Sequence, residues 1–379
     1  MTDTVVTHNE PKAGRGTWRV SWNGLRLIAA LELKQRVRST KWKWALAVFA
    51  GIVGLVTLLL SGAINSLFGV GSDGGDANDV LFGVVVFFVL GLGLLVSPTL
   101  SATAINGDSK EGTLAPLQAT ALSSVDIVVG KLLAAWVASL AFLVVALPFI
   151  VFSYFSSEAP GLAMVTTVLV LAVELLVVCA IGLGWSAITA RTPASAVLTY
   201  VTVATLTVIS LILFGLTVPL VNQPTTVRIY DSVEYDDVTG MATECDFREE
   251  TREQAHTERT WWLLAMNPFV IVADAAPSVD DLQQQGRNYY GSQTMLGSIK
   301  YAVREARLGP SQFENWCYMS EDSPLLPEEV ARLDELTSQK AIWPYGLAFH
   351  ALLAAGALWL AVRRVDVPHG KLASGTRVA

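Results

Sequence analysis

The chain has 379 residues, of which 52% are apolar and only 16% are charged. Soluble domains carry about 25% charged residues, so this deficit and a mean hydropathy of +0.48 argue against an ordinary soluble protein. The formal net charge of −7 conceals an asymmetry, because residues 1–43 hold nine Lys and Arg whereas residues 222–341 hold twenty-one acids against ten bases. A basic segment beside an apolar run indicates contact with anionic membrane lipid rather than with nucleic acid.

Residues 1–43 are polar and basic and are predicted to form a cytoplasmic N-terminus. Within them, an apolar half at 25–33 is followed by a basic half at 34–43, which suits a helix lying at the inner membrane interface. The alternative is a basic flank that only sets the topology. We expect no cleavable signal peptide, because the segment is polar and the apolar run after it is too long.

Six apolar runs are long enough to cross the roughly 30 Å hydrocarbon core as helices. They cover residues 44–69, 80–105, 128–155, 161–190, 195–221 and 342–362, so that 44–221 holds the first five. The basic residues place the N-terminus, the loops 106–127 and 191–194 and the tail 363–379 in the cytoplasm. The sequence therefore predicts an all-α membrane protein with six transmembrane helices, in the plasma membrane, with both termini cytoplasmic.

Residues 222–341 form an external insert between the fifth and sixth spans. Alternation at 226–240 predicts a short hairpin, and 298–309 and 327–338 predict helices, which makes the insert mixed α/β. Residues 261–276 are apolar, but they are short for a span and are interrupted at Asn267–Pro268. We expect a re-entrant or surface-lying segment there, with the core of a small soluble domain as the alternative.

Cys245 and Cys317 are the two cysteines of the insert. An external compartment is oxidising, so they predict a disulfide, and two buried free thiols are the alternative. In the loop-entropy treatment, a bridge over about 70 residues contributes roughly 4 kcal/mol. Cys179 lies in an apolar run, where packing is its expected role.

Two ionisable residues lie inside predicted spans, Glu174 in the fourth and His350 in the sixth. Counted from the outer face they lie about 20 Å and about 13 Å deep, so a direct or water-bridged contact is possible. Ionisable groups are costly in lipid and commonly mark function, which makes both residues candidates for a substrate or proton translocation path. The alternative is a satisfied polar contact between helices.

No residue pattern predicts catalysis. The Gly-Lys pairs at 130–131 and 370–371 lack the following Ser or Thr and the glycine-rich approach of a phosphate loop. No metalloprotease or nucleophile-elbow motif occurs. We therefore expect no catalytic site, no metal site and no bound cofactor on this chain.

Residues 105–131 carry a distinct pattern between the second and third predicted spans. An acidic turn leads into Gly112–Thr113–Leu114 and a short helix, and Leu122–Ser123 and Gly130–Lys131 then open the third span. This pattern resembles that of permeases of the ABC-2 type ABC transporters, as does the triplet 267–269, Asn-Pro-Phe. The chain departs from that family at Ser109–Lys110, where an acid–Arg pair is usual, and at Ala121, where Pro is usual.

The resemblance implies a separate cytoplasmic ABC ATPase, in two copies that bind ATP and Mg, which drives the chain. A short coupling helix in the loop 106–127 would dock on this ATPase, through Asp108, Glu111, Gly112, Thr113, Leu114, Leu117 and Leu122. It also implies that one six-span chain is half of an exporter, completed by a second permease that is identical or homologous. The alternative is a permease that transmits a signal or force to an external partner without transported cargo.

Overall fold

A computed structural model gives the structure, which describes residues 18–68, 75–112, 122–157, 161–235, 242–277, 294–317 and 326–366. The helices are α1 (Trp22–Arg38), α2 (Thr40–Phe68), α3 (Gly75–Ser101), α4 (Asn106–Glu111), α5 (Ser124–Phe155), α6 (Gly161–Ile188), α7 (Thr192–Ala204), α8 (Ser210–Thr217), α9 (Trp262–Ala265), α10 (Pro268–Ala275), α11 (Met295–Leu308), α12 (Pro327–Ser338) and α13 (Trp343–Val365). The strands are β1 (Asn222–Tyr235), β2 (Ala242–Ala255) and β3 (Phe313–Asn315).

Six helical segments among the described residues are long and apolar enough to cross a membrane. They correspond to α2, α3, α5, α6, the pair α7–α8, and α13, and we number them spans one to six. The predicted count of six is confirmed, and the ends differ by a few residues. Span two, for example, ends at Ser101 rather than 105, because hydropathy continues through a turn that the backbone makes before α4.

Span five is not a regular helix. A π-helical turn, Thr205–Ile209, joins α7 to α8, and the Ser210 N–H donates to the Thr205 carbonyl five residues earlier. Such turns are rare, occur mostly as single wide turns within α-helices and are frequent at functional sites. The span then ends in a 3₁₀ turn, Val218–Val221.

The core of the bundle lies between spans two, three and four, where Val86, Leu90 and Ala146 are fully buried. Span six packs along span four, and Gly184 approaches Ala357 so closely that a Cβ would lie 2.7 Å from it. Small residues at such crossings let the helix backbones approach closely. Spans one and five instead expose large apolar side chains such as Leu58 and Leu216, which suits contact with lipid or with another membrane subunit.

The insert between spans five and six is mixed α/β, as predicted. Its described sheet has the order β2-β1-β3, with β1 antiparallel to β2 and parallel to β3. The hairpin is longer than the predicted one, with 14 residues in each of β1 and β2. Cys245 on β2 and Cys317 after β3 form a disulfide, which links the β1–β2 hairpin to the segment between β3 and α12.

The apolar segment 261–276 forms the short helices α9 and α10, which we call the α9–α10 hairpin. Asn267 separates them, and its side chain accepts a hydrogen bond from the Phe269 N–H at the start of α10. Ile271, Val272 and Ala273 have no exposed surface and belong to the same core as spans two, three and four. The hairpin therefore lies inside the helical bundle, and neither of its helices is long enough to cross it.

Candidate functional site

The loop after span two begins with α4, which ends at Gly112 with φ +73°. This left-handed conformation suits glycine and strains other residues, which accounts for the first position of the Gly-Thr-Leu pattern. Asp108 and Glu111 lie on α4. Thr113, Leu114 and Leu117 lie outside the described residues, so the helix and the docking surface expected there stay predictions.

Asn106, the first residue of α4, is buried and joins the loop to spans four and five. Its side-chain amide donates to Ser195 Oγ at 2.8 Å, and its Oδ1 accepts from Ser186 Oγ at 3.2 Å. Ser195 Oγ in turn donates to the Ala102 carbonyl at 2.6 Å. The start of α4, the end of span four and the start of span five are thus held by one hydrogen-bonded cluster.

Lys131, in the second turn of span three, is buried and bridges two carboxylates. Its Nζ lies 2.5 Å from Glu32 Oε1 on α1 and 2.5 Å from Asp108 Oδ2 on α4. A buried ammonium is stable only when it is paired and hydrogen-bonded. Lys131 therefore fixes α1 and α4 to the same turn of span three, and Asp108 is the residue of the predicted coupling set that makes this contact.

Helix α1 packs closely on span three. A Cβ at Gly130 would lie 2.8 Å from Ile28 Cβ, and a Cβ at Gly24 would lie 2.8 Å from Leu122 Cδ2. Asp126 accepts from the Ser21 N–H at 2.7 Å and forms a capping box with Ser123 at the start of span three. Leu122, expected on the docking surface, is thus half-buried beside α1.

Arg36, near the end of α1, reaches the end of span two. Its Nη2 donates to the Leu100 carbonyl at 2.9 Å, one of the carbonyls that a helix end leaves without a partner. Burial lowers the pKa of Arg36, and Glu32 acts in the opposite direction. We call this end of the bundle, where α1 and α4 meet spans two to five, the basic end, and the other the insert end.

Glu174 and His350 are brought together within the bundle. His350 Nδ1 lies 2.8 Å from Glu174 Oε2, and both side chains are 1% exposed. His350 Nε2 lies 2.9 Å from the carbonyl of Met266, between α9 and α10. The direct contact between Glu174 and His350 that their predicted depths in the membrane allow is therefore present. The role of the pair in a translocation path stays a prediction.

An open groove of about 570 Å³ runs between span two, span five and the α9–α10 hairpin. Phe87 and Leu94 line it from span two, Val208 from the π-helical turn, and Phe269 from the hairpin. Among the described residues, its lining is apolar except for Thr207 and Asn267. These two are bound to each other, because Asn267 Nδ2 donates to the Thr207 carbonyl at 2.7 Å. Glu174 and His350 do not line this groove.

Asp274 on α10 holds three groups at the insert end. Its Oδ1 accepts from Arg304 Nε at 2.9 Å, and its Oδ2 accepts from the N–H groups of Ile342 at 2.5 Å and Trp343 at 2.8 Å. The last two are amides at the start of span six, which a helix cannot satisfy itself. One buried carboxylate therefore joins the hairpin, α11 and span six.

The contacts of some of these residues could not be predicted from the sequence. Glu32, Asn106, Ser186, Ser195 and Asp274 are polar residues whose partners lie far away in the chain, from 30 residues for Asp274 and Arg304 to 99 for Glu32 and Lys131. A polar residue at the end of an apolar run indicates a buried polar contact, but the sequence does not identify the residue to which it binds.

Six helices long and apolar enough to cross a membrane, with an insert between the last two, define a multi-pass membrane protein. Residues 26–319 match the family model described as ABC-2 family transporter protein. This match covers more than half of the chain, so the protein belongs to that family, and the resemblance seen in its motifs is confirmed. A comparison with curated proteins gave no significant match. The chain is thus the membrane component of a transporter of this family.

Proposed function

We propose that this protein is the membrane subunit of an ATP-driven ABC exporter, moved by a separate ATPase that docks on the loop 106–127. The contact network of the basic end carries the proposal. Asn106 connects α4 to spans four and five, and Lys131 connects α4 to α1 and span three. A force applied to this loop would therefore reach spans three, four and five through side-chain contacts rather than through a flexible linker.

The proposed orientation places the basic end in the cytoplasm and the insert outside. The Lys and Arg of residues 1–43 and Arg363–Arg364 at the end of span six support it, and the disulfide of the insert suits an oxidising compartment. In this orientation the ATPase, with its ATP and Mg, meets α4 on the cytoplasmic side. The proposal gives the complex two ATPase copies.

A second permease, identical or homologous, would complete the translocation path. The groove between spans two and five supports this part, because it is open and apolar and lies beside the exposed faces of span five. A second subunit placed against that face would turn the open groove into an enclosed passage. Glu174 and His350 would then lie behind its wall rather than on its surface.

Orientation is tested by labelling single cysteines in whole cells with a membrane-impermeant maleimide. We expect Ser338→Cys on α12, which is exposed, to be labelled in intact cells. Lys110→Cys on α4, also exposed, should be labelled only after the cells are permeabilised. The reverse pattern would overturn the proposed topology.

Coupling is tested by purifying the tagged protein from its own cells and identifying co-purified proteins by mass spectrometry. An ABC ATPase should accompany the wild type, and the double variant Leu114→Asp, Leu117→Asp should lose it while still inserting. Val330→Asp, which places the same charge on an exposed apolar residue of the insert, should keep it. Co-purification unchanged by the double variant would remove the loop from the ATPase interface.

Export is tested with inside-out vesicles that contain the complex and an extract of the cell's own lipids and metabolites. Compounds that accumulate with ATP, but not with a non-hydrolysable analogue, are identified by mass spectrometry. Accumulation of at least one compound class supports an exporter. ATP hydrolysis without any accumulation would contradict it.

A further inference from the structure

His350 contacts an acceptor through each of its ring nitrogens. A backbone carbonyl only accepts hydrogen bonds, so the 2.9 Å contact with Met266 requires a proton on Nε2. The 2.8 Å contact with Glu174 Oε2 requires another proton between the carboxylate and Nδ1, because two lone pairs at that distance repel. The arrangement therefore holds one proton shared by Glu174 and His350, in addition to the one on Nε2.

Few charged residues lie in the elements packed around this pair, and those of span three, Asp126 and Lys131, lie at its start and are bound there. Glu174 is the one charged residue of span four, and span five has none. The α9–α10 hairpin contributes one charged residue, Asp274, which is paired with Arg304 of α11. Lys300 is the other buried basic residue of α11, and span six carries Arg363 and Arg364 in its last turn.

Loss of the shared proton would leave a buried negative charge. Within the described part of the chain, Glu174 Oε1 is buried without a hydrogen-bond partner, and an ionised carboxylate in that position is costly. The pair can relieve this cost by separating, which admits water to the carboxylate. Separation also releases the imidazole from the position in which it binds Met266.

The bond between His350 and the Met266 carbonyl matters for the groove, because Met266 lies at the turn of the α9–α10 hairpin. Its neighbour Asn267 holds the Thr207 carbonyl of the π-helical turn, and Phe269 and Val270 line the apolar groove. A displacement of this turn would change the wall of the groove and the support of the π-helical turn. The proton is therefore in a position to control the shape of the groove.

We propose that Glu174 and His350 form a proton-binding site that latches the α9–α10 hairpin to spans four and six, and that release of the proton frees the hairpin. The sign of the pH dependence follows from counting protons. Above about pH 6.5 a solvated imidazole is neutral, so the open state lacks the shared proton and rising pH favours opening. Between about pH 4.5 and 6.5 both states hold it, and the dependence vanishes.

The test uses the full-length protein in lipid nanodiscs, without ATP or an ATPase, so its outcome is separate from that of the exporter proposal. Amide hydrogen exchange is measured at pH 6 to 9 and expressed as protection factors relative to unstructured peptides at the same pH. Protection of residues 262–270, on either side of the turn at Met266, should fall by at least about tenfold across this range, since one linked proton allows up to tenfold per pH unit. Peptides from the middle of span three should not change.

Two variants distinguish the effect of the shared proton from the effect of side-chain packing. Glu174→Gln can donate its amide N–H to Nδ1 of a neutral imidazole, which keeps the latch closed without a titrating proton, so protection should stay high at pH 9. His350→Phe removes the donor to Met266 and should leave the hairpin poorly protected at every pH. Glu305→Gln, a carboxylate replaced on the exposed side of α11, should behave as the wild type.

Two results would overturn the proposal. One is a wild-type protection that does not change between pH 6 and 9. The other is a Glu174→Gln protein that loses protection with rising pH as the wild type does. The Glu174→Gln comparison decides the question even if His350→Phe does not fold.

Discussion

The basic end and the insert end of this bundle attach their peripheral elements by different means. At the basic end, α1 and α4 are held by several contacts shared among hydroxyl, amide and charged side chains, and the carboxylates that bind Lys131 are 22% and 25% exposed. At the insert end, Asp274 is fully buried and binds Arg304 and two backbone amides by itself. Water can replace the lost partner of these two carboxylates, but it cannot reach the groups that Asp274 binds.

This difference suits the two proposed tasks. A loop that receives a push from an ATPase needs contacts that bear small displacements, and partly hydrated ion pairs adjust to them. At the insert end, Asp274 instead keeps the last turn of α10 fixed to α11 and span six, including when the turn at Met266 moves. Single substitutions should therefore cost more at the insert end than at the basic end.

Asp274→Ala tests the most concentrated junction and should have the largest effect. It leaves the buried Arg304 without a partner and the amides of Ile342 and Trp343 unsatisfied, which should lower the free energy of unfolding by about 4 kcal/mol. The measurement is thermal unfolding in nanodiscs. The control Glu335→Gln removes an exposed ion pair with Arg332 and should cost less than about 0.5 kcal/mol. Equal losses in the two variants would contradict the role of Asp274.

Removal of the disulfide tests how much of the insert end depends on covalent closure. The double variant Cys245→Ser, Cys317→Ser opens a loop with a sequence separation of 72 residues. It should destabilise the insert by about 3 kcal/mol, below the roughly 4 kcal/mol of the loop-entropy treatment, because residual structure in the unfolded chain reduces that figure. Limited proteolysis of the insert should accelerate while the spans stay intact. Cys179→Ser removes a cysteine from the spans as a control and should leave this proteolysis unchanged, and an unchanged rate in the double variant would count against the prediction.

Lys131→Met tests the basic end. The variant keeps most of the volume and leaves the carboxylates of Glu32 and Asp108 without their cation, but both can draw water. We expect a loss of about 2 kcal/mol, below the usual cost for a fully buried pair, and faster amide exchange in α1. Lys110→Met, an exposed lysine of α4, is the control. A loss as large as that of Asp274→Ala would remove the proposed difference between the two ends.

Gly112→Ala should have the smallest effect of the four. Its φ of +73° strains any residue with a Cβ, by about 1 kcal/mol, and none of the described residues lies within 4 Å to add a clash. Gly107→Ala is the matched control, since Gly107 lies inside α4, also with no described residue within 4 Å of a Cβ, and alanine favours helix by about 1 kcal/mol. The two variants should therefore shift the exchange of α4 amides in opposite directions, and a shift in the same direction would contradict the turn geometry.

Much of the fold could be predicted because its signals are local. Long apolar runs identify the six spans, alternation identifies the hairpin of the insert, and the Gly-Thr-Leu pattern indicates the family. Glu174 and His350 stand out because each is an ionisable group inside an apolar run. Asp274 carries a similar signal, but its partners lie 30 and 68 residues further along the chain.

The π-helical turn had no such signal. Its sequence, Thr205 to Ile209, is as apolar as the rest of span five and contains neither Gly nor Pro. Asn267, which binds the Thr207 carbonyl, lies 60 residues away. The sequence shows Asn267 but not its contact with the π-helical turn, because the contact depends on how the α9–α10 hairpin enters the bundle.

The position of Asp274 also orders the biogenesis of the protein. The α9–α10 hairpin leaves the ribosome well before span six, because synthesis runs from the N-terminus. Two of its anchors, the amides at the start of span six and the imidazole of His350, do not yet exist at that moment. The α9–α10 hairpin can therefore reach its final packing only after the last helix has entered the membrane. A chain truncated before residue 342 would expose the apolar surface of this hairpin to chaperones and proteases.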